Sequence, residues 1–303
     1  MMTMSRAIPW SFSRGPIIGA LLAALIVLAG CSALRVGYNQ GPRLAYWWLD
    51  GYVEFDEAQA PRVQAAIDDW FEWHRATELP VYLNLLERAQ ADVLADTTAA
   101  QACRWTDEIL ARVRSGYEAA IPAMADVART LAPRQLRLVE RRHAKNNERY
   151  RSDYLQDSAE ERLKGQVERV VERAEDFYGR LDPVQRGQVA RWVADSPFDA
   201  DLWFAERRRR QQEVVQALQR LRTEPLPADE AHTTLRRLLE HAVRSPRDGY
   251  RAYQQRLADY NCAFAARLHN LMTAEQRRHA AGKFKAWEDD VRALVGAAAT
   301  TGP

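Results

Sequence analysis

The chain has 303 residues, 47% of them apolar and 28% charged, with a formal net charge of +2. That is the composition of a folded globular protein; it excludes a wholly disordered chain, a collagen-like chain and a polytopic membrane protein. The only charges in the first thirty residues are Arg6 and Arg14, so the remainder is electrically balanced and has no global field to draw it to nucleic acid.

Arg6 and Arg14 make a short basic stretch, and an uncharged apolar run follows from Ile17 to Leu28. Twelve such residues rise only ~18 Å as a helix against a hydrocarbon core of ~30 Å, so the run reads as a secretory signal over 1–30 rather than a membrane span. Its end, Leu28-Ala29-Gly30-Cys31, resembles the lipobox of bacterial lipoproteins. The resemblance implies cleavage between Gly30 and Cys31, a covalent diacylglycerol on the Cys31 thiol and an N-acyl chain on the freed amine. No other cofactor is expected. Serine rather than aspartate at position 32 implies the periplasmic face of the outer membrane instead of the inner one. The membrane, reached through this anchor, is the first expected partner. The alternative is an ordinary signal with Cys31 an incidental thiol.

That compartment changes the reading of the remaining cysteines. Cys103 and Cys262 are either two buried thiols acting as small apolar groups or one disulfide, and an oxidising space favours the disulfide.

Beyond the aromatic-rich tether at 31–56, apolar residues recur at helical spacing and no segment alternates like a strand. Val63, Ala66, Ile67, Trp70, Phe71 and His74 line one helix face. The pattern predicts helices over 57–75, 79–95, 98–131, 133–156, 159–179, 183–194, 199–222, 228–243, 248–270 and 274–296, with Pro122 kinking the third. The fold class is therefore all-α, a multi-helix bundle over 57–296 with a flexible tail at 297–303. Its size admits two packed helical subdomains, with a seam near 195–200 or 223–228 where Pro197, Pro225 and Pro227 interrupt the pattern.

Four segments read [DT]-x-x-Q: Asp56 to Gln59, Thr98 to Gln101, Asp182 to Gln185 and Thr273 to Gln276. This is capping-box chemistry, in which the first side chain accepts from an orphan helix amide and the glutamine reaches back to the cap's own amide. Phe55, Leu181 and Met272 precede three of them as hydrophobic staples. The segments are also similar to the Leu-Thr-x-x-Gln motifs of a family of periplasmic stress chaperones, which implies helical hairpins forming a cradle.

Two regions are candidate contact surfaces. Five aromatic residues fall between Tyr38 and Tyr52, with Trp47 and Trp48 adjacent. Their rings either lie among lipid headgroups or pack on the bundle. Packing is favoured, because neighbouring side chains leave a helix in different directions. In the helix after Pro133, the stripe through Leu136 and Val139 continues into His143, Asn146, Asn147 and Tyr150. That stripe is a ligand pocket, a partner seam or a satisfied polar network.

Glu140 and His143 make a Glu-x-x-His pair, but no second copy exists to complete a di-iron site, and no zinc motif is present. No metal is expected. Arg207 to Arg210 spread around a helix turn between Glu206 and Glu213, which favours a solvated or salt-bridged face over a headgroup site. No nucleophile elbow, phosphate loop or local triad appears, so no catalytic residue is assigned and an enzyme is not the expected reading.

Gly37-Tyr38-Asn39-Gln40, Leu44 to Asp50, the asparagines at 146 and 147 and Asn261-Cys262-Ala263-Phe264 together resemble an uncharacterised Gram-negative lipoprotein family, of the type labelled domain of unknown function 6279. The resemblance implies envelope location and fold but brings no catalytic residues. The resulting expectation is an outer-membrane lipoprotein acting through an envelope protein partner. The alternatives are a holdase, or a small-ligand or hydrolase site on helix 136–154.

Overall fold

A computed structural model describes residues 33–299; the expected signal segment with Gly30 and Cys31 lies outside the described residues, as do Ser32 and residues 300–303. Among the described residues the chain folds into twelve helices and no strand. They are α1 (Ala33–Asn39), α2 (Gly41–Val53), α3 (Ala60–Thr77), α4 (Leu79–Asp92), α5 (Ala99–Thr130) and α6 (Pro133–Tyr154). There follow α7 (Ala159–Tyr178), α8 (Pro183–Ala194), α9 (Ala200–Thr223), α10 (Ala228–Val243), α11 (Asp248–Leu271) and α12 (Ala274–Ala299). The ten helices expected from periodicity all form, with ends displaced by a few residues, and α1 and α2 precede them. The expected tail from 297 begins inside α12, which continues to Ala299. α5 remains helical through Pro122.

The chain ends its helices where backbone chemistry requires. α2 stops at Glu54, whose φ of 53° places it in the left-handed region, while Asp50 Oδ1 accepts from the Phe55 amide at 2.9 Å. α7 stops at Gly179, with φ of 82°, a conformation glycine adopts without strain. Gly41 starts α2 against the Phe71 ring of α3, and a Cβ there would sit 2.5 Å from a ring carbon.

All four [DT]-x-x-Q segments form reciprocal boxes. Their glutamine oxygens accept from the amides of Asp56, Thr98, Asp182 and Thr273 at 2.9–3.1 Å. Their cap oxygens accept in return from the glutamine amides at 2.8–3.2 Å. A fifth glutamine does half of this at Leu131-Ala132-Pro133-Arg134-Gln135, where Gln135 Oε1 accepts from the Ala132 amide at 2.7 Å.

Four of these five glutamines go further and join helix starts in pairs. Gln59 and Gln135 donate to one another's side-chain oxygens, at 3.3 and 2.7 Å. Gln59 also donates to the Thr130 carbonyl, and Gln135 to that of Glu54. Gln185 and Gln276 repeat the arrangement, exchanging bonds of 2.8 and 3.0 Å and donating to the carbonyls of Leu271 and Arg180. In every case the accepting carbonyl lies five positions before the partner glutamine. Two quasi-symmetric clasps thus tie α3 to α6 and α8 to α12. Gln59, Gln135 and Gln185 are buried with their amides engaged, as low-dielectric surroundings demand.

Three apolar clusters fill the bundle. Ile121, Ala125 and Ala128 of α5 meet Leu221 of α9 and Leu235 of α10. Val171 and Ala174 of α7 meet Val189 and Val193 of α8, together with Leu181 and Met272, the two buried staples. Leu79 of α4 meets Val291 and Leu294 of α12. Cys103 of α5 and Cys262 of α11 lie at disulfide distance, Cα atoms 5.3 Å apart, and link positions separated by 159 residues. Both expected seams fall in inter-helix turns, after α8 and after α9. α5 packs against α3, α9, α10 and α11 and so spans both sides of them.

Candidate functional site

The polar stripe of α6 faces α9 and α2. Asn147 is held at both ends of its amide: Nδ2 donates to Gln211 Oε1 at 2.7 Å, and Oδ1 accepts from Arg207 Nε at 3.0 Å and from Gln211 Nε2 at 3.1 Å. Asn146 Nδ2 donates to the Tyr52 hydroxyl at 2.7 Å, tying α6 to α2. Tyr150 is buried in an aromatic stack with Tyr154, Trp203 and Phe204, at centroid distances of 4.6–5.3 Å. Burial drives its hydroxyl well above the ordinary phenol range, against the opposing charge of Arg207. These three residues are therefore joints between helices.

His143 and Asn147 are the stripe residues that border an open space. They line a cleft of about 470 Å³ with Glu140, Arg208 and Gln212. Burial lowers the His143 pKa, Arg207 lowers it further, and Glu140 opposes both. Among the described residues no group of three or more His, Cys, Asp or Glu side chains is gathered as a metal site, so Glu140 and His143 have no completing ligands there.

The arginine run is divided by its helix. Arg207 lies over the Tyr150 and Trp203 rings, Arg209 pairs with Glu206 and Glu213, and Arg210 donates to the Ala242 carbonyl. Arg208 faces solvent at the rim of the polar cleft.

The aromatic segment departs from the packing expected of it. Tyr38 does pack: its ring meets Phe71 edge-on at 5.5 Å and its hydroxyl bonds His74 Nδ1 at 3.0 Å. Burial lowers the His74 pKa, with Glu78 opposing. Asn39 Oδ1 accepts from Arg75 at 3.1 Å. Trp47 and Trp48, however, are 74% and 56% exposed, and Leu44 beside them is 55% exposed. Neighbouring side chains diverge by only ~100° on a helix, which leaves both indoles within the outward half of α2. Ala45, Tyr46 and Leu49 take the inward half. Residues 44, 47, 48 and 51 form a continuous outer stripe without an acidic group.

A second opening was missed in the sequence. An apolar cleft of about 530 Å³ lies between α4, α5, α7, α11 and α12. Its walls include Leu85, Leu86, Trp105, Ile109, Phe177, Phe284, Trp287 and, from α1, Leu34. Apart from the Tyr82 hydroxyl, its polar side chains are engaged within the protein. His269 Nε2 lies 2.7 Å from the Ala95 carbonyl, which can only accept, so Nε2 carries the proton and Nδ1 accepts from the Tyr178 hydroxyl at 2.9 Å. This is the neutral imidazole that burial favours; its pKa is lowered despite the Ala95 bond. Burial pushes the Tyr178 hydroxyl up to about 12. Trp105 Nε1 donates to Asp92 at 3.2 Å, and the Thr97 backbone pairs with the Asn270 amide. The available sequence signal was a second apolar stripe on α5, at Trp105, Ile109 and Val113; the last two are more than half exposed.

No helix among the described residues is long and apolar enough to cross a membrane. No curated protein and no solved structure matches the chain. Residues 51–251, from the end of α2 into α11, match the model of DUF6279, a family of unknown function, and the chain belongs to that family.

Proposed function

We propose that this protein is a lipoprotein of the cell envelope, held at the periplasmic face of the outer membrane by diacylglycerol and N-acyl chains on Cys31. It acts there through protein–protein contacts in envelope assembly or maintenance. The observation that supports this reading is the outward stripe of Leu44, Trp47 and Trp48. It begins thirteen positions after Cys31 in the chain. Indoles favour the headgroup layer, and a lipid tether would hold them beside it. With α2 against lipid, the exposed apolar residues of α5 remain available to a partner.

A photo-reactive residue tests both faces in cells. At position 47 it is expected to label lipid, and at Val113 to give a discrete protein adduct that disappears in the Cys31→Ala chain. No adduct at Val113, or one indifferent to the anchor, counts against the contact reading. Separately, the double variant Trp47→Ala/Trp48→Ala in the Cys31→Ala background is expected to lose at least about fivefold in partition to phosphatidylethanolamine/phosphatidylglycerol vesicles.

The paired glutamine clasps favour a second reading, a holdase, through their similarity to the chaperone motifs. It predicts that the Cys31→Ala chain suppresses aggregation of an unfolded outer-membrane protein. Undiminished light scattering at several-fold excess sinks it.

A further inference from the structure

The apolar cleft is an opening that neither the family nor the anchoring accounts for. We propose that it holds one acyl chain carried by Cys31 when the protein is out of the bilayer; this rests on the lipidation reading above. Position comes first. Leu34 forms part of the cleft wall and follows Cys31 by three residues, so the two lie within roughly 11 Å along an extended chain. A tether that short keeps the attached chain at an effective concentration on the order of millimolar.

Chemistry selects hydrocarbon over peptide. A polypeptide brings amide and carbonyl groups that must be paired once removed from water. His269, Tyr178, Asp92 and Thr97 are already engaged with groups of the protein itself. The remaining wall is aliphatic and aromatic, the Tyr82 hydroxyl its one further polar group, and what it offers a ligand is chiefly apolar surface. The volume of about 530 Å³ falls within the range of small-molecule sites. The Cys103–Cys262 link joins the α5 and α11 walls beside Ala102 and Ala265, so the cleft is formed before anything enters it. In the membrane the chains insert into lipid; away from it, the cleft covers one of them.

The test titrates a fluorescent polyene fatty acid into the lipidated protein and into the Cys31→Ala chain. The Cys31→Ala chain is expected to bind one probe molecule. Ile109→Glu, at a position more than half exposed and so tolerant of charge, is expected to weaken that binding roughly tenfold. Leu34→Glu is expected to do the same from the other wall. The lipidated protein is expected to bind the probe at least about tenfold more weakly than the Cys31→Ala chain, because its own acyl chain competes. Failure of the Cys31→Ala chain to bind overturns the cleft as an acyl site. Equal binding by both chains, with lipidation verified by intact mass, overturns the occupant alone. An intact mass lacking acyl groups overturns the anchoring itself, and this occupant with it.

Discussion

Replacing Cys103 and Cys262 together by alanine, or reducing the bridge, is expected to lower the unfolding free energy by about 3–5 kcal/mol. A link across 159 residues restricts the unfolded chain by an entropy equivalent to roughly 5 kcal/mol in the loop-closure treatment, and residual structure in that chain lowers the figure. The loss falls on the whole body, since α5 packs against α3, α9, α10 and α11 and α11 carries the covalent connection from the last third of the chain. In thermal unfolding the expected result is a Tm lower by more than about 6 °C in reductant, with the double-alanine variant indifferent to reductant. A non-reduced peptide map should join the two cysteines in one species. Two separately alkylated thiols, or an unchanged Tm, would refute the bridge.

The second large effect belongs to Glu206. Its carboxylate is fully buried between α9 and the turn that leads from α10 to α11. Arg209 donates to it twice, at 2.9 and 3.0 Å, Ser245 Oγ donates at 2.9 Å, and Arg247 at 3.2 Å. Burial by itself raises the carboxyl pKa; the bonds from Arg209 and Ser245 and the charges of Arg209 and Arg210 outweigh it, so the net shift is downward. A folded pKa below the unfolded one means that this stabilisation is present above the ordinary carboxylate range and lost as pH falls through the folded value. Neutral-to-mildly acidic solution therefore leaves it intact.

Glu206→Ala removes the acceptor of four bonds and leaves the buried Ser245 hydroxyl without the acceptor for its proton. Arg209 and Arg247 both reach water, so the expected destabilisation sits at the low end for a broken buried pair, about 3 kcal/mol. Glu206→Gln is expected to lose about 2 kcal/mol and to flatten the acid limb of the stability–pH curve below about pH 4. Denaturant titration at several pH values measures both. A Glu206→Gln curve parallel to that of the parent down to pH 3 would remove Glu206 from acid unfolding.

The helices were legible in the sequence because their causes are local. Val63 to His74 repeat at helical spacing, Pro133 and Pro183 begin helices, and Asp182 and Gln185 satisfy one helix start within four residues. The pairing of those helix starts was not legible. Gln59 meets Gln135 across 76 positions, and Gln185 meets Gln276 across 91. Ala132 also lacks the side chain that would have marked the fourth participant as a box.

The candidate site divides in the same way. That Asn146, Asn147 and Tyr150 share a stripe followed from periodicity; that Tyr52, Gln211 and Trp203 close on them did not. The expected packing of Trp47 and Trp48 failed because helical spacing gives the angle between side chains and not the direction of the nearest neighbour. α3 and α6 cover one side of α2 and leave the indoles to solvent.

The all-α class, ten of the twelve helices among the described residues and four of the helix starts with their capping boxes could be read from the chain alone, because each depends on residues within a few turns of one another. Which polar residues are joints, which aromatic rings face outward, and that an apolar cleft opens beside Leu34 emerged from the packing of the helices. Those features arise where surfaces from distant segments meet or fail to meet, and no single segment holds both sides of such a contact.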